Sequence, residues 1–526
     1  MTQDTVVAGG PVRRGPRDAL AGLAPVAITL SVGLTVLIGL LGPSAMVPRL
    51  PGPSWQPPYS LAAGPDGHLV IALAGAAIVL GGLGLAAGLR SAWRPDPRRL
   101  LVAGSAVAGL LAFLPPSGSA DHLNYAAYGR LAALGHDPYA VAPAAFPGDP
   151  VAGAVEEWTG VTSVYGPVAT AVQALSSLVG GESVRLTVFA MALFNAAAFV
   201  GTALLLHRFT AADPGLQRRA ALLWAVNPLM IYHLSAGMHV DTMAVACMAA
   251  ALCALLSTGR AARHAASGVL LGLGIGVKLN AGLVALGPAW ALRRDPGRLA
   301  VVAGTATATV AAVYAAAGPH VLDQVGAAGR KVSLATPWQQ VKLGLQTLFG
   351  PGAYTAWIQA GSVLLLAVLA WLLLRAAPRG PAVPGVPGSG LPGGPSGSLS
   401  GGGLPGGPPG ADVPAPAVAA LVVVAWLFAA PYALPWYDGL AFALLAMTAS
   451  WPALEGFVVA RTTILSLGYL PAREALRPDD LLWLKTAVRQ QVVPWSLLAL
   501  TAALAWWAAR AGARARRRPA SAAPRP

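Results

Sequence analysis

The sequence predicts an all-α polytopic membrane protein, on three observations. Of its 526 residues 56% are hydrophobic and only 10% charged, where soluble domains carry roughly a quarter, and the mean hydropathy is +0.62. The apolar residues gather in runs of roughly 15 to 25, the length at which a helix crosses a ~30 Å hydrocarbon layer. The basic residues fall mainly in the short connections between runs, which is how membrane helices are oriented. A soluble globular protein is excluded, and the net charge of +15 reads as orientation, with no nucleic-acid partner. Cys247 and Cys253 share one apolar run and read as small core hydrophobes, with neither a disulfide framework nor a metal spacing.

In chain order, a cytoplasmic tail (1–19) carries Arg13, Arg14 and Arg17 ahead of a first span over 20–41, which is too long for a signal-peptide core. A second run, 68–89, is followed by Arg90, Arg94, Arg98 and Arg99, so both basic segments belong inside. A third span near 100–114 then delivers the polar loop 115–166 to the outer face. Basic clusters return to the inner side at 207–219, 260–263, 293–298 and 375–379. Segments 231–242, 319–352 and 431–439 fall outside. So does 278–280, the apex of a run, 265–292, long enough only for two half-length helices. The count comes to about 14 spans, with 167–179 a candidate re-entrant segment. Residues 376–415 are almost all Gly, Pro, Ser, Ala and Val, a flexible cytoplasmic linker. It divides an N-terminal module (20–375) from a C-terminal one (416–510), and a basic cytoplasmic tail (511–526) closes the chain. No internal repeat or matched pair of halves is visible.

Polar residues in or beside a membrane are expensive, so their clustering is informative. On an ideal helix Asp121, Tyr125 and Tyr128 share one face and Arg130 points away, while Leu123, Leu131 and Leu134 form a surface suited to the bilayer. This reads as an interfacial helix on the outer face with a carboxylate at its start. Asp121 serves equally as a helix cap or as a catalytic group, and the two uses are compatible. The tyrosines suit an interface belt as well as a site. A second cluster holds Asn227-Pro228, Tyr232-His233 and His239-Val240-Asp241-Thr242, with Asp241 again a cap or a cavity group. The third is Lys278 with Asn280. A buried ammonium costs ~2.5–3.5 kcal/mol on insertion scales, so Lys278 calls for an anionic partner unless it snorkels. Trp158 ahead of Tyr165-Gly166-Pro167, and Trp338 with Gln339 and Gln340 among Arg330, Lys331 and Lys342, suit sugar faces or interface anchoring. Residues 431–438 read as another cavity rim. No phosphate-binding Gly-rich loop, dinucleotide fingerprint, serine elbow or zinc-hydrolase motif occurs.

Taken in order, Asp121-His122-Leu123-Asn124-Tyr125, Gly135-x-Asp137-Pro138-Tyr139, Tyr165-Gly166-Pro167, Asn227-Pro228, His239-x-Asp241 and Val277-Lys278 resemble the polyprenol-phosphate-mannose-dependent alpha-1,6-mannosyltransferases of actinobacteria, members of the C-type glycosyltransferase superfamily. The resemblance is best over 115–292 and thin after the linker. It implies a C-type glycosyltransferase-like bundle, multi-pass in the cell membrane with its active site on the extracytoplasmic face. It further implies inverting transfer of mannose from a polyprenyl-phosphate donor to a hydroxyl of a lipid-linked or cell-envelope glycan, with Asp121 at the position of the catalytic base. Where that family's pattern reads His-Asn-Asp this chain has His239-Val240-Asp241, and Asp121 is followed by His122 instead of a second acid. A divalent metal therefore has no support in these residues, and no cofactor is assigned.

Elementary chemistry assigns the roles in the same way. Single inversion needs one base on the acceptor side, with Asp121 the first candidate and Asp241 the second. A fixed cation lowers the barrier to phosphate departure, a role for Lys278 aided by His239 or Arg330. His122, Tyr125, Tyr128, Tyr165, Asn280 and Trp338 are the candidate substrate contacts. The expected partners are the polyprenyl-phosphate sugar, the glycan acceptor and membrane lipid. A transporter or flippase of a polyprenyl-phosphate sugar is the alternative, but the acids here cluster on one side, whereas a transporter needs polar sites near the midplane.

Overall fold

A computed structural model describes residues 16–257, 261–328, 330–377, 413–471 and 473–517. Its regular elements are helical: α1 Pro16–Leu41, α2 Gly67–Arg90, α3 Pro97–Ala112, α4 Asp121–Ala133, α5 Pro167–Gly180, α6 Val184–Phe209, α7 Pro214–Leu223, α8 Pro228–Met230, α9 Asp241–Leu256 and α10 Ala261–Val277. There follow α11 Leu286–Ala291, α12 Pro296–Ala317, α13 His320–Ala328, α14 Pro337–Phe349, α15 Thr355–Ala376, α16 Ala415–Ala429, α17 Asp438–Ala446, α18 Pro452–Leu467 and α19 Val493–Arg517. Many helices begin where the sequence supplies a start signal. The carboxylates of Asp66, Asp96 and Asp213 and the hydroxyl of Ser183 accept first-turn N–H groups of α2, α3, α7 and α6, and proline occupies the first turn of α3, α5, α7 and α12.

By length and composition α1, α2, α6, α12, α15 and the stretch Asp479–Arg514 are each able to cross a membrane, and five shorter apolar helices pack among them. Segment 167–179 folds as the ordinary helix α5, too short to span. The run 265–292 is broken as expected: Lys278 is extended (φ −154°, ψ 121°) between α10 and a 3₁₀ turn at Leu279–Ala285. Residues 378–412, most of the Gly/Pro-rich linker 376–415, lie outside the described residues, as do 1–15 and 518–526. Helix α19 carries on through part of the basic tail, to Arg517.

The expectation that α4 lies on the bilayer is corrected. Leu123 and Leu131 are buried inside the protein, because α4 packs on α5, α6 and the short turn at Ala152–Ala154. The backbones of α4 and α5 meet at Gly129, where an added Cβ would come within 2.2 Å of the Gln173 carbonyl oxygen. Segments on both sides of the linker share one core: α18 packs on α2, and α17 on α7 and α9. One buried ion pair crosses this union and a second joins two helices of the part after the linker. Arg219 meets Glu455 at 2.8 Å, and Arg461 meets Asp438, whose other oxygen accepts from Thr462 at 2.7 Å.

Gly129→Ala is expected to cost about 1–3 kcal/mol through overpacking, read as a lowered melting temperature in detergent. Gly109→Ala, on a face of α3 with open space, should be neutral or slightly stabilising. Equal shifts for the two variants would show that the α4–α5 contact is not close.

Candidate active site

Three chain reversals meet at one end of the bundle. The first leads into α4. Ser117 N–H donates to the Ala236 carbonyl at 2.9 Å and Gly118 N–H to that of Met46 at 2.8 Å, which fixes the entry to Asp121. The Asp121 side chain caps nothing, since no side-chain cap is formed at this helix start. Instead its Oδ2 lies 3.5 Å from the Tyr125 hydroxyl and 3.7 Å from His239 Nε2. The side chain is 25% exposed, so it opens to a substrate while largely withdrawn from water. That withdrawal raises its pKa to about 6, against the pull of the Ser119 hydrogen bond and the Lys278 charge.

The second reversal begins at Asn227, whose side chain accepts from Leu229 and Met230 N–H and so starts α8. A single π-helical turn, Ile231–Ala236, follows. Such turns insert an extra residue and re-aim side chains. Met238 then adopts a left-handed φ of +52°, and His239 turns inward. Its Nδ1 bonds to the His233 carbonyl at 2.7 Å. A carbonyl only accepts, so Nδ1 carries the proton, and in the neutral ring Nε2 is left as a lone pair facing Asp121. Two residues on, Asp241 opens α9, again without a side-chain cap.

The third reversal is the break after α10. Lys278 Nζ reaches back to Asp241, 2.7 Å from Oδ1 and 2.6 Å from Oδ2. The anionic partner that burial of an ammonium demands is therefore Asp241, and snorkelling is not the outcome. Tyr165-Gly166-Pro167 sits directly on this break. Gly166 N–H donates to the Val277 carbonyl at 3.1 Å, and any Cβ at 166 would lie 2.2 Å from the Gly276 carbonyl oxygen. Glycine is required there by backbone approach. Tyr165 in turn stands edge-on to Tyr125, with centroids 4.9 Å apart, and lies 6.3 Å from Tyr128.

The chain after the linker brings aromatic rings against the cluster. Trp436 stacks on His239 at 3.6 Å and 18°, Tyr469 meets Trp436 edge-on at 5.2 Å, and Lys278 Nζ lies 4.0 Å from the Tyr437 ring centroid. Segment 431–438, expected as a cavity rim, places Trp436 and Tyr437 against the cluster. Tyr469 carries no local signal: only its contact with Trp436 brings it to the site. Arg489 lies over the Tyr469 ring, 4.7 Å from its centroid.

The structure thus brings together Asp121, Tyr125, Tyr128, Tyr165, His239, Asp241 and Lys278. His122, beside Asp121, is fully buried with neither ring nitrogen hydrogen-bonded among the described residues. Its pKa is pushed down to about 3 by burial and the Arg473 charge, so the ring is neutral. Asn280 is half-buried just beyond Lys278. Two candidates stand apart. Arg330 is exposed on the turn after α13, without an ion pair to the cluster among the described residues. Trp338 is occupied structurally, its indole N–H donating to the Ala429 carbonyl at 2.7 Å and its ring covering Gly361. Among the described residues no three His, Cys, Asp or Glu side chains are grouped to hold a metal ion.

Residues 27–294, about half of the chain, match the family model described as alpha-(1->6)-mannopyranosyltransferase, N-terminal domain. The chain belongs to this family. Alpha-(1->6)-mannopyranosyltransferase A of Mycobacterium tuberculosis is 31% identical over 221 residues, covering 41% of this chain and 42% of that protein. The protein of the same name from Corynebacterium glutamicum is 27% identical over 178 residues, covering 33% and 34%. The chain is thus matched to less than half the length of these curated relatives. The family match includes Asp121, His239, Asp241 and Lys278, whereas Trp436, Tyr437 and Tyr469 lie beyond it.

Lys278→Met should destabilise the protein by about 3–5 kcal/mol, because it strands a buried carboxylate. Asp241→Asn added to it should restore much of the loss in thermal unfolding. Losses that simply add would mean the two side chains are not coupled.

Proposed function

We propose that this protein is an integral-membrane, inverting mannosyltransferase. It moves mannose from a polyprenyl-phosphate donor to a hydroxyl of a lipid-linked or cell-envelope glycan, in a membrane-embedded bundle of about 14 spans whose active site opens on the extracytoplasmic face. The observation that carries this reading is the state of the two carboxylates. Asp241 is held by Lys278, whereas Asp121 makes no ion pair with a lysine or arginine among the described residues and faces the lone-pair side of a neutral histidine. One unengaged carboxylate suits a single displacement, in which one base acts on one face of the sugar.

In this scheme the reacting acceptor hydroxyl donates its one proton to Asp121 Oδ2, and a neighbouring hydroxyl of the acceptor donates to His239 Nε2. Asp121 takes the proton of the reacting hydroxyl as its oxygen attacks the anomeric carbon. The bond from that carbon to the phosphate oxygen breaks with its electron pair, and the departing monophosphate needs no proton from an acid. Lys278, held in place by Asp241 and the Tyr437 ring, supplies the positive field toward which this charge develops. The role first considered for His239, donation to the phosphate, gives way to acceptance, because its one N–H is spent on the His233 carbonyl. Asp241 likewise becomes a counter-ion in place of a second base. Trp436 is spent on His239, and the partly exposed rings of Tyr437 and Tyr469 beside it are the ones left for a sugar ring to pack against. The transporter alternative has no observation of its own, since the other buried charges among the described residues are paired, Arg219 with Glu455, Arg461 with Asp438 and Arg473 with Glu156.

With purified protein and polyprenyl-phosphate mannose, Asp121→Asn should lower transfer about 10²–10⁴-fold without loss of folded protein. Parental activity in that variant would remove Asp121 as the base. The base acts only when ionised, so kcat/KM should fall as pH drops through about 6, the pKa of Asp121. The Lys278 charge holds that pKa down, so the residual activity of Lys278→Met should show its acid limb at higher pH. An unchanged limb would mean that another group titrates.

A further inference from the structure

The outer loop carries a tryptophan that the site described above does not use. Trp158 is 60% exposed, and its backbone sits at φ +62°, a region costly for a residue with a side chain. An indole turned to solvent on a strained backbone has two reasons to relax inward. It is prevented by hydrogen bonds on either side of it. Asn124 Nδ2 donates to the Glu157 carbonyl at 3.0 Å and the Tyr128 hydroxyl to the Val161 carbonyl at 2.9 Å. The turn itself closes by Val161 N–H to the Trp158 carbonyl, and Ala144 N–H donates to the Thr159 carbonyl, both at 2.9 Å. Both anchoring side chains belong to α4, the helix that Asp121 opens. The turn that carries Trp158 is therefore tied to α4 at two positions, Asn124 and Tyr128, that lie within about two helical turns of Asp121.

The surroundings indicate what covers the ring. Its neighbours Glu156, Thr159 and Gly160 are polar or lack a side chain, and Lys331 Nζ stands 5.6 Å from the indole centroid. A bilayer anchor needs apolar companions, whereas here a flat aromatic face lies next to an ammonium in a polar rim. That pair of groups fits a neutral pyranose, whose C–H face packs on indole while its hydroxyls accept from the ammonium.

We propose that Trp158, with Lys331 beside it, is a platform for a sugar ring of the acceptor glycan at least one residue away from the hydroxyl that Asp121 deprotonates. This rests on the glycosyl-transfer reading of the Asp121 site, and it adds a subsite that makes longer acceptors better substrates.

The test uses the full-length protein with manno-oligosaccharides of two to six residues, in transfer and in equilibrium binding by calorimetry. Trp158→Ala should raise KM and the dissociation constant for the longest oligosaccharide about tenfold, with much less change for the disaccharide and for the donor KM. Trp158→Phe should recover most of the loss. Equal shifts for short and long acceptors, or for acceptor and donor, would overturn the proposal, as would a component of brominated-lipid quenching that the parent shows and Trp158→Phe loses. Binding without transfer by the parent protein would contradict the mechanism at Asp121 and leave the platform standing. Absence of oligosaccharide binding by the parent would end the platform proposal.

Discussion

The bidentate contact between Lys278 and Asp241 is the constraint from which the rest of the site follows. Helix α10 stops at Lys278 and α9 starts at Asp241, so the pair ties together two elements that each leave backbone groups unfinished. An ammonium or a carboxylate alone at this depth would be costly, and each exists there because of the other. The pairing also sorts the acids. Asp241 is committed to holding a cation, so the carboxylate with freedom to act is Asp121, 3.7 Å from a histidine whose protonated nitrogen points elsewhere. The Tyr437 ring against the ammonium completes a cation held from two sides.

The site draws on both ends of the chain. The N-terminal part supplies the titratable groups on three reversals, and the part after the linker supplies the aromatic wall that keeps water from their backs. Trp436 holds His239 by stacking and Tyr469 holds Trp436. This arrangement depends on the ion pairs deeper in the bundle. Arg219 with Glu455 joins α7 to α18, and Arg461 with Asp438 joins α18 to α17, the helix that directly follows Trp436 and Tyr437. Buried pairs of this kind add little net stability against an apolar replacement, but losing one partner is severe, so they specify which helices meet.

Much of this was legible in the sequence where local chemistry decides the outcome. The break at Lys278 follows from run length, and the three polar clusters that hold Asp121, His239 with Asp241, and Lys278 are the ones that meet. What was not legible depends on contacts between segments far apart in sequence. A helical wheel of α4 sees Leu123 and Leu131 as a bilayer face because it cannot see α5, α6 and the Ala152–Ala154 turn that cover them. Trp338 beside two glutamines looks like a sugar contact until the Ala429 carbonyl is found on its N–H. Arg330 has the right charge but no element that carries it to the cluster. Tyr469 lies in a stretch with no motif, and a single-turn π-helix, whose effect is to aim His239, has no sequence signature of its own.

In the proposed reaction, a carboxylate free of a cation and a separately held ammonium carry out one displacement, and one displacement inverts the sugar. The most direct measurement supplies the purified protein with polyprenyl-phosphate mannose prepared as each anomer, and determines the linkage of the product by nuclear magnetic resonance. The account predicts that only the β-linked donor is used and that the product is α-linked. Transfer from the α-linked donor with retention would require a covalent or paired-carboxylate mechanism, and would contradict the assignment of Asp121 and Asp241.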